Sequence, residues 1–415
     1  MLRQRVVSTG LVLGLLLGTL GAAKGADWPQ FRGPNRDGLS KETGLLKSWP
    51  KDGPAKLWSV TNLGLGFGTP AVAEGKIFGL GTRDKQDGVW ALNEADGKEL
   101  WFTPFDAPRN TNQNNGPSGT PTIADGKAYA VSSKGKLVCL ETKTGKLEWQ
   151  VEFVKDFGGS VPSWGYTESP LIDGDKLICT PGGKNTIVAL EKATGKVIWK
   201  SAVPKGDGAQ YSSAITVESA GQKQYIQFVR GGVVSVGASD GEFLWRYDTP
   251  ANGTANCSTP VFHDGHVYAA SSYNKGGGLA KVSKNDGKFE TKEVYFEERL
   301  KNHHGGVVLL DGYLYGEGSG KLTCVDFKTG AIAWSEPKAS KGSITFAEGL
   351  LYHRNEGGKG TIILAEANPK KYVELGRFDQ PDRSKLSAWA HPVVANGRLY
   401  IRDQELLLCY DIKQK

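Results

Sequence analysis

The stretch ALNEADGKELW at residues 91–101 returns as CLETKTGKLEW at 139–149, ALEKATGKVIW at 189–199, SVGASDGEFLW at 235–245 and CVDFKTGAIAW at 324–334. In all five a glycine stands four residues before a tryptophan. Each unit also carries an earlier pattern of alternating apolar residues around a turn dipeptide. It reads TPAVAEGKIFGL from 69, TPTIADGKAYAV from 120, SPLIDGDKLICT from 169, TPVFHDGHVYAA from 259, GVVLLDGYLYGE from 306, SITFAEGLLYHR from 343 and HPVVANGRLYIR from 391, with a longer version, SAITVESAGQKQYIQFV, from 213. Alternation about Asp-Gly, Glu-Gly or Asn-Gly predicts two antiparallel strands joined by a turn that needs positive φ. The Thr-Gly and Asp-Gly strings predict two more. Eight units of four short strands, at roughly 45-residue spacing, are the arithmetic of an all-β eight-bladed propeller.

The tryptophan four residues after the glycine falls near the start of the outermost strand, where its indole can lie flat against the next blade and bury ~150–250 Å². This assigns structural docking to Trp58, Trp101, Trp149, Trp199, Trp245 and Trp334. The eighth unit ends soon after its third strand, around Leu407 to Tyr410, while PAKLWSV at 54–60 has a strand and a tryptophan but no three strands before it. That early segment is therefore expected to complete the last blade and hide its free edge. Residues 51–415 then form one domain. Blades five and seven lack the glycine-to-tryptophan spacing, at Gly287 and around Glu366 to Asn368, and are expected to pack less regularly.

Composition agrees with this reading and narrows the function. Glycine is 56 of 415 residues, about 13% against a typical ~7%, as many tight turns require. Arg3 and Arg5 precede an apolar run from Val6 to Leu20 and small residues near Ala23-Lys24-Gly25, which reads as a cleaved signal peptide over 1–25 with the cut before Ala26. The mature chain is then expected in the periplasm or otherwise exported, with no membrane span. Removing Arg3, Arg5 and Lys24 takes the net charge from +7 to +4, too small and dispersed for a nucleic-acid partner. No C-x-x-C-H string exists and Met1 is the sole methionine, which excludes covalent c-type haem and a methionine axial ligand. Five cysteines leave at least one unpaired; Cys139, Cys324 and Cys409 share one repeat position with Ala91 and Ala189 and read as small core residues. Residues 26–50, with Trp28 and Phe31, lack strand periodicity and are expected to pack across a face of the ring.

The docking repeat resembles that of the quinoprotein-type eight-bladed propellers. DWPQFRGPNRDG at 27–38, SWGYTESPLIDGDKLICTPGG at 163–183 and AQYSSAI at 209–215 are similar to the exported PQQ-binding-like β-propeller repeat proteins of bacteria. The resemblance implies the fold across nearly all of the mature chain and offers two functional relatives. One is the quinoprotein alcohol dehydrogenases, which hold pyrroloquinoline quinone (PQQ) with calcium beside a disulfide of adjacent cysteines. This chain has no Cys-Cys pair and no string that matches their calcium ligands or catalytic base. The other is the outer-membrane barrel-assembly lipoprotein, a non-catalytic scaffold, from which the chain departs in having Ala26, not a cysteine, directly after the expected cut.

In a propeller the loops entering the innermost strands gather around one channel mouth. The matching positions here are Phe67, Ser118, Thr167, Tyr211, Cys257, His304, Lys341 and Trp389, and they are chemically varied, unlike positions that serve folding alone. With their neighbours they give a candidate ligand site of Asn115, Tyr166, Glu168, Tyr211, Asn256, His303, His304, His353, Trp389 and His391. His303, His304, His391, Cys257 and Glu168 are metal-ligand types, but no H-x-x-x-H or C-x-x-C spacing joins them, so no metal site is expected. Glu168 as an acid–base catalyst would need a second titrating group that the sequence does not place. The sequence thus predicts an exported, monomeric, non-catalytic binding or scaffolding propeller without cofactor, its partner a small molecule, glycan or protein. The alternative is a divergent PQQ-dependent dehydrogenase.

Overall fold

The computed structural model describes residues 26–109 and 116–414; the leader read at 1–25 and the candidate Asn115 lie outside them. Eight four-stranded antiparallel sheets follow one another along the chain. The first is formed by Ala71–Ala73, Lys76–Arg83, Gln86–Asn93 and Glu99–Asp106. The last takes its three inner strands from Val393–Ala395, Arg398–Asp403 and Leu406–Asp411, and its outer strand from Lys56–Val60, which pairs antiparallel with Leu406–Asp411. The ring is therefore closed by the early segment, and Arg402 of blade eight reinforces the seam. Its guanidinium donates from Nη1 to Gly68 O at 2.9 Å and from Nη2 to Leu80 O at 2.6 Å, both on blade one's side.

The docking tryptophans explain the repeat. In the outer strand each indole residue pairs across the ladder with a small residue: Trp101 with Ala91, Trp149 with Cys139, Trp199 with Ala189, Trp334 with Cys324 and Trp58 with Cys409. Each of these pairings sits beside a register shift, a bulge that re-aims the side chain. The ring of one blade then covers the turn glycine of the next: Trp58 over Gly97, Trp101 over Gly145, Trp149 over Gly195 and Trp199 over Gly241. A methyl group at Gly195 would stand 2.7 Å from the Trp149 ring, and its φ of +73° already favours glycine. All five cysteines are free, and the three in the repeat are buried beside these rings.

Blade five is more regular than its missing spacing suggests. Tyr295 occupies the tryptophan position, covers Gly330 of blade six, and donates its hydroxyl to Phe327 O at 3.1 Å. The indoles of Trp101 and Trp149 bond the corresponding carbonyls, Thr142 O at 3.1 Å and Lys192 O at 3.0 Å. Trp245 differs: its Nε1 donates to Gln224 Oε1 within its own blade at 2.9 Å, and its ring packs among Val267, Ala269 and Ala280 of blade five. In blade seven the position is Gly376, and the space is filled by Trp49 from the N-terminal extension, packed against Tyr352 and Phe378.

The extension meets hairpin-turn residues through Asp27, Glu42 and Gly44, and between them it dips into the channel. Trp28 bridges Val72 of blade one and is 1% exposed. Arg36 then reaches across the channel. It donates to Ser169 O and Ala214 O, each at 3.0 Å, and to Pro170 O, Gln30 Oε1 and Thr122 Oγ1, so one side chain ties blades two, three and four. Arg32 bonds Val307 O of blade six from the same segment. Leu39–Ser40 leaves as a parallel fifth strand on blade seven. Inward-pointing carbonyls at the ends of inner strands have no ladder partner, and a five-donor guanidinium suits several at once. Apart from one short helix, Phe153–Phe157, the described residues are strand and loop, and no helix among them is long and apolar enough to cross a membrane.

Trp149→Phe is expected to destabilise the fold more than Trp199→Phe, by about 1–2 kcal/mol. The first leaves the Lys192 carbonyl unpaired, whereas the Trp199 Nε1 is a buried donor without a partner and the matching carbonyl, Ala238 O, already accepts from Lys176 Nζ. Chemical denaturation of the two variants checks the order. Arg36→Met is expected to lower the melting temperature more than either, since it strands several channel-facing acceptors together.

Candidate functional site

With the channel filled from the hairpin-turn side, the opposite mouth becomes a closed-bottom cavity of about 320 Å³ whose lining includes Phe31 of the extension. Seven of the eight matching loop positions line it: Phe67, Ser118, Thr167, Tyr211, Cys257, His304 and Trp389. The eighth, Lys341, stands behind, its Nζ 2.7 Å from His303 Nδ1 and 2.8 Å from a Glu356 carboxylate oxygen. Two residues further along, Thr69, Ser169 and Ser213 form a deeper tier of hydroxyls. These link adjacent blades: Thr120 N donates to Ser169 Oγ, Ser169 N to Ser213 Oγ and His391 N to Thr69 Oγ1 at 2.9–3.0 Å. The tier is rigid because each hydroxyl already holds a neighbouring backbone.

A row of rings crosses one side of the mouth. Tyr273 meets His303 edge-on at 4.9 Å between centroids, His303 lies 3.5 Å from His304, His304 stacks on Trp389 at 4.3 Å, and Trp389 meets Phe67 at 4.4 Å. Trp164 and Tyr211 form a second pair at 5.6 Å. Burial drives the His303 imidazolium down to about 2 and His391 to about 3, and it lowers His304 as well. These rings are neutral at ordinary pH. No Asp, Glu, Lys or Arg occurs among the described residues that line the cavity.

Of the candidates read from sequence, Tyr211, His303, His304, Trp389 and His391 line the cavity. Four others turn away. Tyr166 is buried beside Phe153 and donates to Pro181 O at 2.9 Å. Asn256 is fully buried and cross-links loops through Val229 O and Asn252 N. Glu168 is buried, accepts from Thr180 N at 2.8 Å and Thr180 Oγ1 at 2.9 Å, and is raised to about 7 by desolvation. Its side chain is not among those that line the cavity. His353 is fully buried in blade seven and donates from Nε2 to Ser340 O at 2.9 Å. Sequence reasoning missed Phe31, Trp164 and Tyr273, which come from the extension and from loops outside the repeat pattern.

The His353 placement has a measurable sign. Burial lowers its folded pKa to about 4, below the ~6.5 of an unfolded chain, so the unfolded state holds more protons between those values. Stability from this group is complete above ~6.5 and declines as the pH falls. His353→Gln keeps a donor toward Ser340 O without a titrating ring, and is expected to recover about 1 kcal/mol relative to the parent near pH 5.5. Denaturation curves at neutral and acid pH measure this.

The fold and site can be set beside known proteins. The outer membrane protein assembly factor BamB of Moranella endobia is 25% identical over 321 residues, which is 71% of this chain and 77% of that one. A second relative of the same description is spanned over 46% of its length. Among solved structures, BamB from Moraxella catarrhalis matches with a TM-score of 0.62 at 16% identity, over 86% of this chain and all of the other. The quinohemoprotein alcohol dehydrogenase of Comamonas testosteroni matches with a TM-score of 0.66 at 13% identity, over 94% of this chain and 81% of that one. At such identities the two structures attest the fold alone. The family model described as outer membrane protein assembly factor BamB matches residues 85–336, well over half of the chain, and the chain belongs to that family.

Proposed function

We propose that this chain is an exported, non-catalytic binding propeller whose channel-mouth cavity receives an uncharged, ring-bearing group, either an aromatic side chain of a protein partner or a sugar of a glycan. The observation that carries this is a cavity walled by aromatic and neutral imidazole rings over a rigid tier of hydroxyls. Flat apolar walls favour ring stacking, and a few fixed polar groups orient the guest. Relatives named as assembly factors favour a protein partner, and the leader read in the sequence favours an exported location.

The dehydrogenase reading fits poorly. PQQ carries three carboxylates and its calcium needs oxygen-rich anionic ligands, whereas the described lining has neither cation nor carboxylate. Glu168, the acid–base candidate read from the sequence, is held beneath its Thr180 hydrogen bonds.

Tryptophan fluorescence of the purified chain is expected to respond to neutral oligosaccharides or to tyrosine- and tryptophan-bearing peptides, with Trp389→Ala weakening the response at least tenfold. PQQ with calcium is expected to cause neither quenching nor a rise in melting temperature. Oxidation of an alcohol or sugar in the presence of PQQ, calcium and a dye acceptor would overturn the proposal.

A further inference from the structure

Cys257 precedes the inner strand of blade five, and His303 and His304 hold the corresponding loop of blade six. The Cys257 Sγ and one ring nitrogen from each histidine all lie within 4.8 Å of one another. Zinc bound at ~2.3 Å to sulfur and ~2.0–2.1 Å to nitrogen in a tetrahedral site sets its ligand atoms roughly 3.3–3.7 Å apart. The cluster therefore needs a contraction of at most about 1.5 Å. His303 Nε2 is moreover buried without a hydrogen-bond partner. Buried polar atoms are ordinarily satisfied, so this unsatisfied ring nitrogen beside a thiol marks a missing ligand.

We propose that Cys257, His303 and His304 form a three-ligand site for zinc(II), with the fourth coordination position open to the mouth cavity. The proposal shares His303 and His304 with the binding role above but rests on ligand geometry and not on ring stacking. Uptake forms a sulfur–zinc bond and releases the thiol proton to solvent. Two neighbouring groups respond. Lys341 bonds His303 Nδ1 as a donor, and ligation through Nε2 requires the proton on Nδ1 instead, so the ammonium withdraws to Glu356, which already holds it at 2.8 Å. Glu356 also stands 3.8 Å from His304 Nδ1. Closing that gap gives Nδ1–H a carboxylate acceptor and leaves Nε2 for the metal, the common carboxylate–histidine–zinc arrangement.

Cobalt(II) is the probe, used on the full mature chain with His263→Gln and His266→Gln to remove the cross-strand histidine pair near the opposite hairpin turn. One equivalent is expected to bind with a thiolate-to-cobalt charge-transfer band that zinc bleaches. The other four cysteines are buried in the blades, so Cys257→Ser is expected to abolish the band. His303→Gln and His304→Gln are expected to weaken binding at least tenfold, and Lys341→Met to tighten it by removing a positive charge. X-ray absorption of the zinc-loaded parent gives an answer that needs no variant: a shell of one sulfur and two imidazoles supports the site. A shell of nitrogen and oxygen alone, a band that survives Cys257→Ser, or weaker binding in Lys341→Met would each overturn it.

Discussion

The contact on which the architecture depends is an indole laid over the turn glycine of the following blade. A four-stranded blade is too small to bury both of its faces, so its stability is held in common with its neighbours. The glycine is required twice over, by a left-handed backbone and by the ring that occupies the space of a Cβ. Where the pattern lapses, the contact is rebuilt from other parts. Tyr295 reproduces both the cover and the hydrogen bond in blade five, and Trp49 brings an indole to blade seven from more than three hundred residues away in sequence. These replacements show that the geometry, and not the tryptophan codon, is what the ring demands.

The second constraint is the channel. Inner strands leave carbonyls facing a space too narrow for bulk water to serve them well. Arg32 and Arg36 satisfy several of these at once, and burial lowers their pKa values to about 10 and about 9, still leaving them charged at neutral pH. Charge in such a place is costly, and the network of backbone acceptors offsets it. The same segment floors the mouth with Phe31, which sits edge-on to His391 at 5.3 Å. The plug thus makes the cavity; without it the mouth would open into a pore.

Much of this was legible because it repeats. The period disclosed the blades, the docking tryptophans, the closure by residues 56–60 and the loop positions around the mouth. Which neighbours of those positions face the cavity was also recoverable, though the sequence reading overlooked it: Thr167 and Ser169 line it while Tyr166 and Glu168 do not, and Ala255 and Cys257 line it while Asn256 does not. This is the two-residue alternation of extended chain. His303 and His304 break that rule by lying side by side. The path of residues 28–38 was not legible, because a guanidinium seeking carbonyls on distant blades leaves no periodic trace. Tyr295 was hidden for a different reason, since a tyrosine in a strand reads as ordinary β-sheet composition.

The threading of the extension also dictates an order of assembly. Lys56–Val60 finds its partner at Leu406–Asp411, and Glu42 receives the amides of Asn396 and Gly397, across 354 and 355 residues. Lys56–Val60 and Glu42 therefore have no partner until the last blade exists, whereas Trp28 and Arg36 find theirs on blades one to four. The incomplete ring must wait with an open edge, a high-contact-order arrangement that folds slowly. Such a chain gains its final rigidity in one late step, when the clasp is drawn against the last blade.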